Sequence, residues 1–148
     1  MKKIKVFLCL LLSCIMLCSC SSQQNDYSIE NHEWEFYIVQ SMGSGETIYC
    51  SEQQHQFNED AEVIDIWNTM EDNKIIISNN ETQESWTLDY TLKEKDETNT
   101  IYEITYKSDG DTINGLATVS TTTREDENDE YTLIISINNY AIYFTEEM

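Results

Sequence analysis

Residues 84–93 read ESWTLDYTLK, and along them large apolar and polar side chains alternate without a break. Trp86, Leu88, Tyr90 and Leu92 stand on one side, and Ser85, Thr87, Asp89 and Thr91 on the other. Period two is the side-chain spacing of a strand, whereas a helix would set its apolar residues three and four apart. Residues 100–107 (TIYEITYK) repeat the pattern through Tyr102, Ile104 and Tyr106, and Ser108-Asp109-Gly110-Asp111 supplies a hairpin turn behind them. Toward the C-terminus, Ile113, Gly115, Ala117 and Val119 oppose Asn114, Thr118 and Ser120. Beyond a charged turn at 124–130 come Tyr131, Leu133, Ile135 and Ile137, then Asn138-Asn139, then Tyr140, Ile142 and Phe144. Toward the N-terminus, residues 62–68 (EVIDIWN) and 74–78 (KIIIS) make a hairpin about Met70-Glu71-Asp72-Asn73. Earlier still, residues 46–50 (ETIYC) return on a first strand across Met42-Gly43-Ser44-Gly45, while residues 51–61 read as a loop or a short helix. In that first strand Trp34, Phe36 and Ile38 are expected on one face and Glu35, Tyr37 and Val39 on the other.

No segment after residue 20 carries a convincing helical apolar repeat. The expected fold is therefore all-β, an antiparallel up-and-down meander of eight or nine strands over residues 33–148. A strand with one apolar face must have that face covered, by closure into a barrel or by a second sheet. A barrel is favoured because closure removes exposed edges, and a β-sandwich is the alternative.

The N-terminus is a different kind of text. Lys2, Lys3 and Lys5 precede an apolar run over residues 6–17, interrupted only by Ser13. That run is too short to cross a ~30 Å hydrocarbon core comfortably, but suits the core of a signal peptide. It ends in Leu17-Cys18-Ser19-Cys20, which resembles the bacterial lipobox. The resemblance implies that residues 1–19 are removed and that Cys20 is lipidated, which sets the chain on the extracytoplasmic face of the cell membrane. Two or three acyl chains on one cysteine anchor stably where one would not. Residues 21–32 (SSQQNDYSIENH) are polar and read, with Cys20, as a tether of at most ~40 Å.

Three of the eight basic residues and none of the 28 acidic ones lie in residues 1–19, so the remainder carries a charge of −23. Such a chain repels nucleic acid and anionic headgroups, and no nucleic-acid partner is expected. Four of the five cysteines fall within residues 1–20, leaving Cys50 alone, with the character of a buried apolar filler.

Trp34, Trp86-x-x-x-Tyr90, Gly115-x-Ala117-x-Val119, Thr132-Leu133-Ile134-Ile135 and Tyr140-Ala141-Ile142-Tyr143-Phe144 together resemble the lipocalin-like small lipoproteins of Firmicutes. The likeness covers about residues 33–145. His32-Glu33-Trp34 stands where lipocalins carry Gly-x-Trp, and Leu88 stands where related barrels often place glycine. The resemblance implies an eight-stranded barrel whose interior holds a small apolar ligand.

Chemistry-bearing motifs are sparse. His32 and His55 are the two histidines, and neither has a neighbour at zinc-ligand spacing. Gly43-Ser44-Gly45 lacks the spacing of a nucleophile elbow. Asp126-x-Asn128-x-Glu130 echoes a calcium loop but has Tyr131 at the glycine position. No catalytic activity, cofactor or metal is expected. The residues suited to ligand contact are aromatic: Trp34, Trp86, Tyr90, Tyr102 and Tyr106, with Trp67 weighed beside them. They either line a cavity or fill a small barrel. The function expected is binding or sensing of an apolar or amphipathic small molecule, and the alternative is a non-catalytic module displayed to an envelope protein.

Overall fold

Every alternating segment forms a strand. The computed structural model describes residues 28–122 and 130–146. In chain order the strands are β1 (Trp34–Ser41), β2 (Thr47–Cys50), β3 (Glu62–Val63), β4 (Ile66–Glu71), β5 (Lys74–Asn79), β6 (Ser85–Lys95), β7 (Asn99–Ser108), β8 (Asp111–Thr122), β9 (Glu130–Ile137) and β10 (Tyr140–Glu146). Two 3-10 turns, Ile29–Asn31 and Glu52–Phe57, are the helical elements among the described residues. All ten strands belong to one sheet, in the order β3-β2-β1-β10-β9-β8-β7-β6-β5-β4. Neighbours are antiparallel apart from the short parallel contact of β2 with β3.

From β4 to β10 each strand lies beside its sequence neighbour, and β1 then runs along β10 from Trp34↔Glu146 to Ser41↔Tyr140. This is the expected meander, curled into a barrel-like sheet. One sheet replaces the two that a sandwich would need. The tally exceeds eight or nine because the segment expected as one strand over 62–68 is divided, Glu62–Val63 pairing with β2 as β3 and the chain from Ile66 pairing with β5 as β4. β1 and β4 face one another across a seam with no ladder, where the Asn68 amide donates to the Trp34 carbonyl at 2.6 Å.

Three hairpins use two-residue turns with both residues at positive φ: Asp72-Asn73 (46° and 62°), Asp109-Gly110 (50° and 91°) and Asn138-Asn139 (45° and 69°). Such turns match the right-handed twist of the strands they join, and Asn, Asp and Gly tolerate that backbone best.

Two expectations about side-chain direction are corrected. Register shifts between Phe36 and Ile38, so Trp34, Phe36 and Val39 join the main core while Ile38 turns to the other face. There it packs with Cys50 and Ala61, which explains how Ile38 and Val39, adjacent in sequence, are both buried. The bulge inserts one residue and reverses the alternation beyond it. Leu92, expected in the core beside Tyr90, is 61% exposed. β5 accompanies β6 only as far as Lys74↔Asp89, so the second half of β6 has a neighbour on one side alone.

Candidate functional site

The two ends of the barrel differ. At the end where β1 begins, the 3-10 turn Ile29–Asn31 folds under the sheet, and Ile29 is fully buried. The Trp34 indole N–H donates to the Ile29 carbonyl at 2.9 Å. The Tyr102 hydroxyl accepts from the Ile29 N–H at 3.2 Å, and the Tyr90 hydroxyl donates to a Glu30 carboxylate oxygen at 2.5 Å. The Tyr90 and Tyr102 rings meet edge to face at 5.4 Å between centroids. Burial raises the Tyr90 phenol above its ordinary value, and the Glu30 bond raises it further, so the hydroxyl keeps its proton and goes on donating. His32 Nδ1 lies 2.7 Å from a Glu146 carboxylate oxygen and its ring stacks on Tyr131, tying the turn to β10 and β9. The last residues of the expected tether are thus part of the folded domain and plug this end.

The opposite end is open. A cavity of about 580 Å³ is lined there by Val39, Ile77, Trp86, Tyr106, Ile113 and Ile142, among others. Cross-strand pairing assembles this wall: Ile77 sits opposite Trp86, Leu88 opposite Tyr106, Tyr106 opposite Ile113, and Val39 opposite Ile142. Leu88, 3% exposed, belongs to both the wall and the core beneath it. The rim is polar, with Asn79, Thr82 and Asn138 and the carboxylates of Glu62, Glu81 and Glu84. An apolar concavity with few polar groups at its edge is the usual form of a small-molecule site.

The five aromatic candidates therefore divide. Trp86 and Tyr106 line the cavity, whereas Trp34, Tyr90 and Tyr102 are buried at the plugged end and hold the turn. Trp67 joins neither group, being 64% exposed on the outer face of β4. Sequence reasoning missed the aliphatic wall formed by Ile77, Ile113, Ile137 and Ile142. Its signal is position: these residues stand near the ends of strands joined by turns at the open end.

A larger groove, about 950 Å³, follows the seam between β1 and β4, where Trp34, Phe36, Ile66, Trp67 and Met70 stand beside Glu30, Glu33, Glu35, Glu52, Asp65 and Glu81. It carries six carboxylates where the smaller cavity carries three, so the smaller cavity is the better candidate for an apolar ligand.

Cys50 is fully buried, as expected of a filler, with His55 Nδ1 at 4.0 Å from its sulfur. Burial pushes its thiol up, away from the thiolate a nucleophile needs. Among the described residues no group of three or more His, Cys, Asp or Glu is arranged to hold a metal, and no helix is long and apolar enough to cross a membrane. Cys20, the segment expected as a signal peptide (residues 1–19), Asp126 and Asn128 lie outside the described residues. No family model, curated protein or solved structure matches this chain.

Proposed function

We propose that the chain is a lipid-anchored extracytoplasmic binding barrel, which takes an apolar or amphipathic small molecule into its open end without transforming it. The observation that carries this reading is the cavity of about 580 Å³ between Trp86, Tyr106 and an aliphatic wall. Burying a ligand there would remove apolar surface on both partners from water, at roughly 25 cal/mol for each Å². Lipidation at Cys20 is supported by Leu17-Cys18-Ser19-Cys20, and Cys20→Ala should abolish acyl labelling. Continued labelling and membrane fractionation of that variant would remove the anchor from the account. The anchor would enter the domain beside the plug, so the cavity would face away from the bilayer. Native mass spectrometry of protein purified without detergent should show a co-purifying molecule of a few hundred daltons or uptake of one added decyl-chain amphiphile. Neither retained nor added mass would count against the reading.

A second reading, a display module for an envelope protein, is favoured by Trp67 and Phe57, 64% and 75% exposed. Large exposed aromatics are frequent contact points between proteins. Trp67→Ala would then release a bound protein and leave the cavity's ligand in place.

A further inference from the structure

From the rim chemistry we infer that the cavity selects cationic amphiphiles, an apolar chain carrying a positively charged head; this deepens the binding-barrel reading and rests on it. The interior supplies aliphatic and aromatic wall, but none of the lining residues is Lys or Arg. Glu62, Glu81 and Glu84 stand at the same edge, two from the β5–β6 turn and one from β3. All three are exposed and border the opening.

Their charge is not used inside the protein. The ion pairs among the described residues join His32 to Glu146 and Lys93 to Glu103, away from the opening. Glu84 accepts a 3.5 Å bond from the Thr82 hydroxyl, a neutral partner that leaves its charge in place. Asn79 spends its side-chain oxygen on the N–H groups of Glu81 and Thr82, which fixes the turn and holds both its glutamates at the mouth.

A ligand whose chain fills the wall between Ile77 and Ile142 ends with its head among these carboxylates. A quaternary ammonium or protonated amine is attracted there, and the low-dielectric wall below strengthens that attraction. A carboxylate or sulfate head meets three like charges. Trp86 and Tyr106 line the same cavity, and aromatic rings suit a cation as well as a hydrocarbon.

The test uses the full chain and three probes that share a ten-carbon tail: decyltrimethylammonium, undecanoate and decanol, the first two below their micelle concentrations and decanol below its solubility limit. Binding is read by equilibrium dialysis on four proteins. These are the unaltered chain, a mouth variant (Glu62→Gln, Glu81→Gln, Glu84→Gln), a far-end variant (Glu71→Gln, Glu94→Gln, Glu97→Gln) and a cavity-filling Ile142→Trp. Because all four share the same N-terminal apolar segment, any uptake by that segment cancels in the comparison. The inference expects decyltrimethylammonium to bind tightest, with roughly a tenfold advantage over decanol, the scale set by a few exposed charge pairs acting together. The mouth variant loses that advantage and the far-end variant keeps it, although both shed the same charge. Equal binding of all three probes, or an advantage that survives in the mouth variant, overturns the headgroup inference while leaving the cavity standing. Uptake that Ile142→Trp leaves unchanged overturns the cavity itself, and the inference with it. Circular dichroism of each variant guards against unfolding, and an unfolded Ile142→Trp is replaced by Ile113→Trp.

Discussion

Tyr90 and Tyr102 occupy inward positions on neighbouring strands and look interchangeable in the sequence, yet their hydroxyls do opposite things. Tyr102 accepts from a main-chain N–H that is buried with Ile29, so Tyr102→Phe strands a donor away from water. An unsatisfied buried donor costs about 1–3 kcal/mol. Tyr90 donates to Glu30, which is exposed and recovers water when the hydroxyl is removed. Tyr90→Phe should therefore cost about 1 kcal/mol or less. Thermal midpoints of the two variants check the order, and an equal or inverted pair would refute the plug as described. Because the folded phenol of Tyr90 is raised, its contribution is complete below the ordinary tyrosine value of 10.0 and is lost only as pH rises through the folded value. Gly115 gives a sharper case. A Cβ at this position would lie 2.3 Å from the Ser136 carbonyl oxygen and 3.1 Å from side-chain atoms of Ile104 and Ile137. The first of these is backbone within the β8–β9 pairing and does not yield, so Gly115→Ala should lower stability by at least about 2 kcal/mol. A denaturation midpoint equal to that of the unaltered chain would contradict the pairing of Gly115 with Ile137.

At the level of strands and turns, period two was enough to find the long ladders, because half-buried antiparallel strands write their orientation directly into sequence. It could not show where that alternation would reverse. Ile38-Val39 carries two apolar residues in a row, which signals a bulge or a doubly covered strand without choosing between them. Nor did the pattern of β6 reveal that Leu92 would outrun β5, since strand lengths are set by pairing partners distant in sequence. Turn chemistry was more legible: Asp109-Gly110 and Asn138-Asn139 take the left-handed backbone that their residue types favour. The β6–β7 turn adds a titratable element. Asp96 accepts from the N–H groups of Thr98 and Asn99, at 2.7 and 2.8 Å, and these bonds hold its carboxyl below the ordinary value of 3.8. A lowered folded value means stabilisation that is present above 3.8 and lost as pH falls through the folded value. Asp96→Ala should accordingly lower the midpoint at pH 7, and the gap from the unaltered chain should close in strong acid. A gap that stays constant from neutral pH to pH 2 would show that the bonds to Thr98 and Asn99 do not stabilise the fold.

For the molecule as a whole, the same aromatic residues that marked a candidate site turn out to serve two ends of one barrel. The sequence placed Trp34, Trp86, Tyr90, Tyr102 and Tyr106 on inner faces, but periodicity measures direction and not height along the barrel axis. Height decides the role. Trp34, Tyr90 and Tyr102 stand where the chain enters and are consumed in binding Ile29 and Glu30, whereas Trp86 and Tyr106 stand where the interior is open. The plug itself was illegible, because Ser28 to His32 is a polar stretch whose single large apolar residue, Ile29, is held by Trp34 nearby and by Tyr102 more than 70 positions away. The aliphatic wall was illegible for a related reason: isoleucines at strand ends look the same whether they fill a core or border a cavity. What separates the two is whether a bound molecule can occupy the space between them. The direct measurement is a titration of decyltrimethylammonium into the unaltered chain and into Ile142→Trp, read by calorimetry. The account predicts an additional saturable one-to-one event in the unaltered chain that disappears in a folded Ile142→Trp. An event of the same stoichiometry and affinity in both proteins would contradict it.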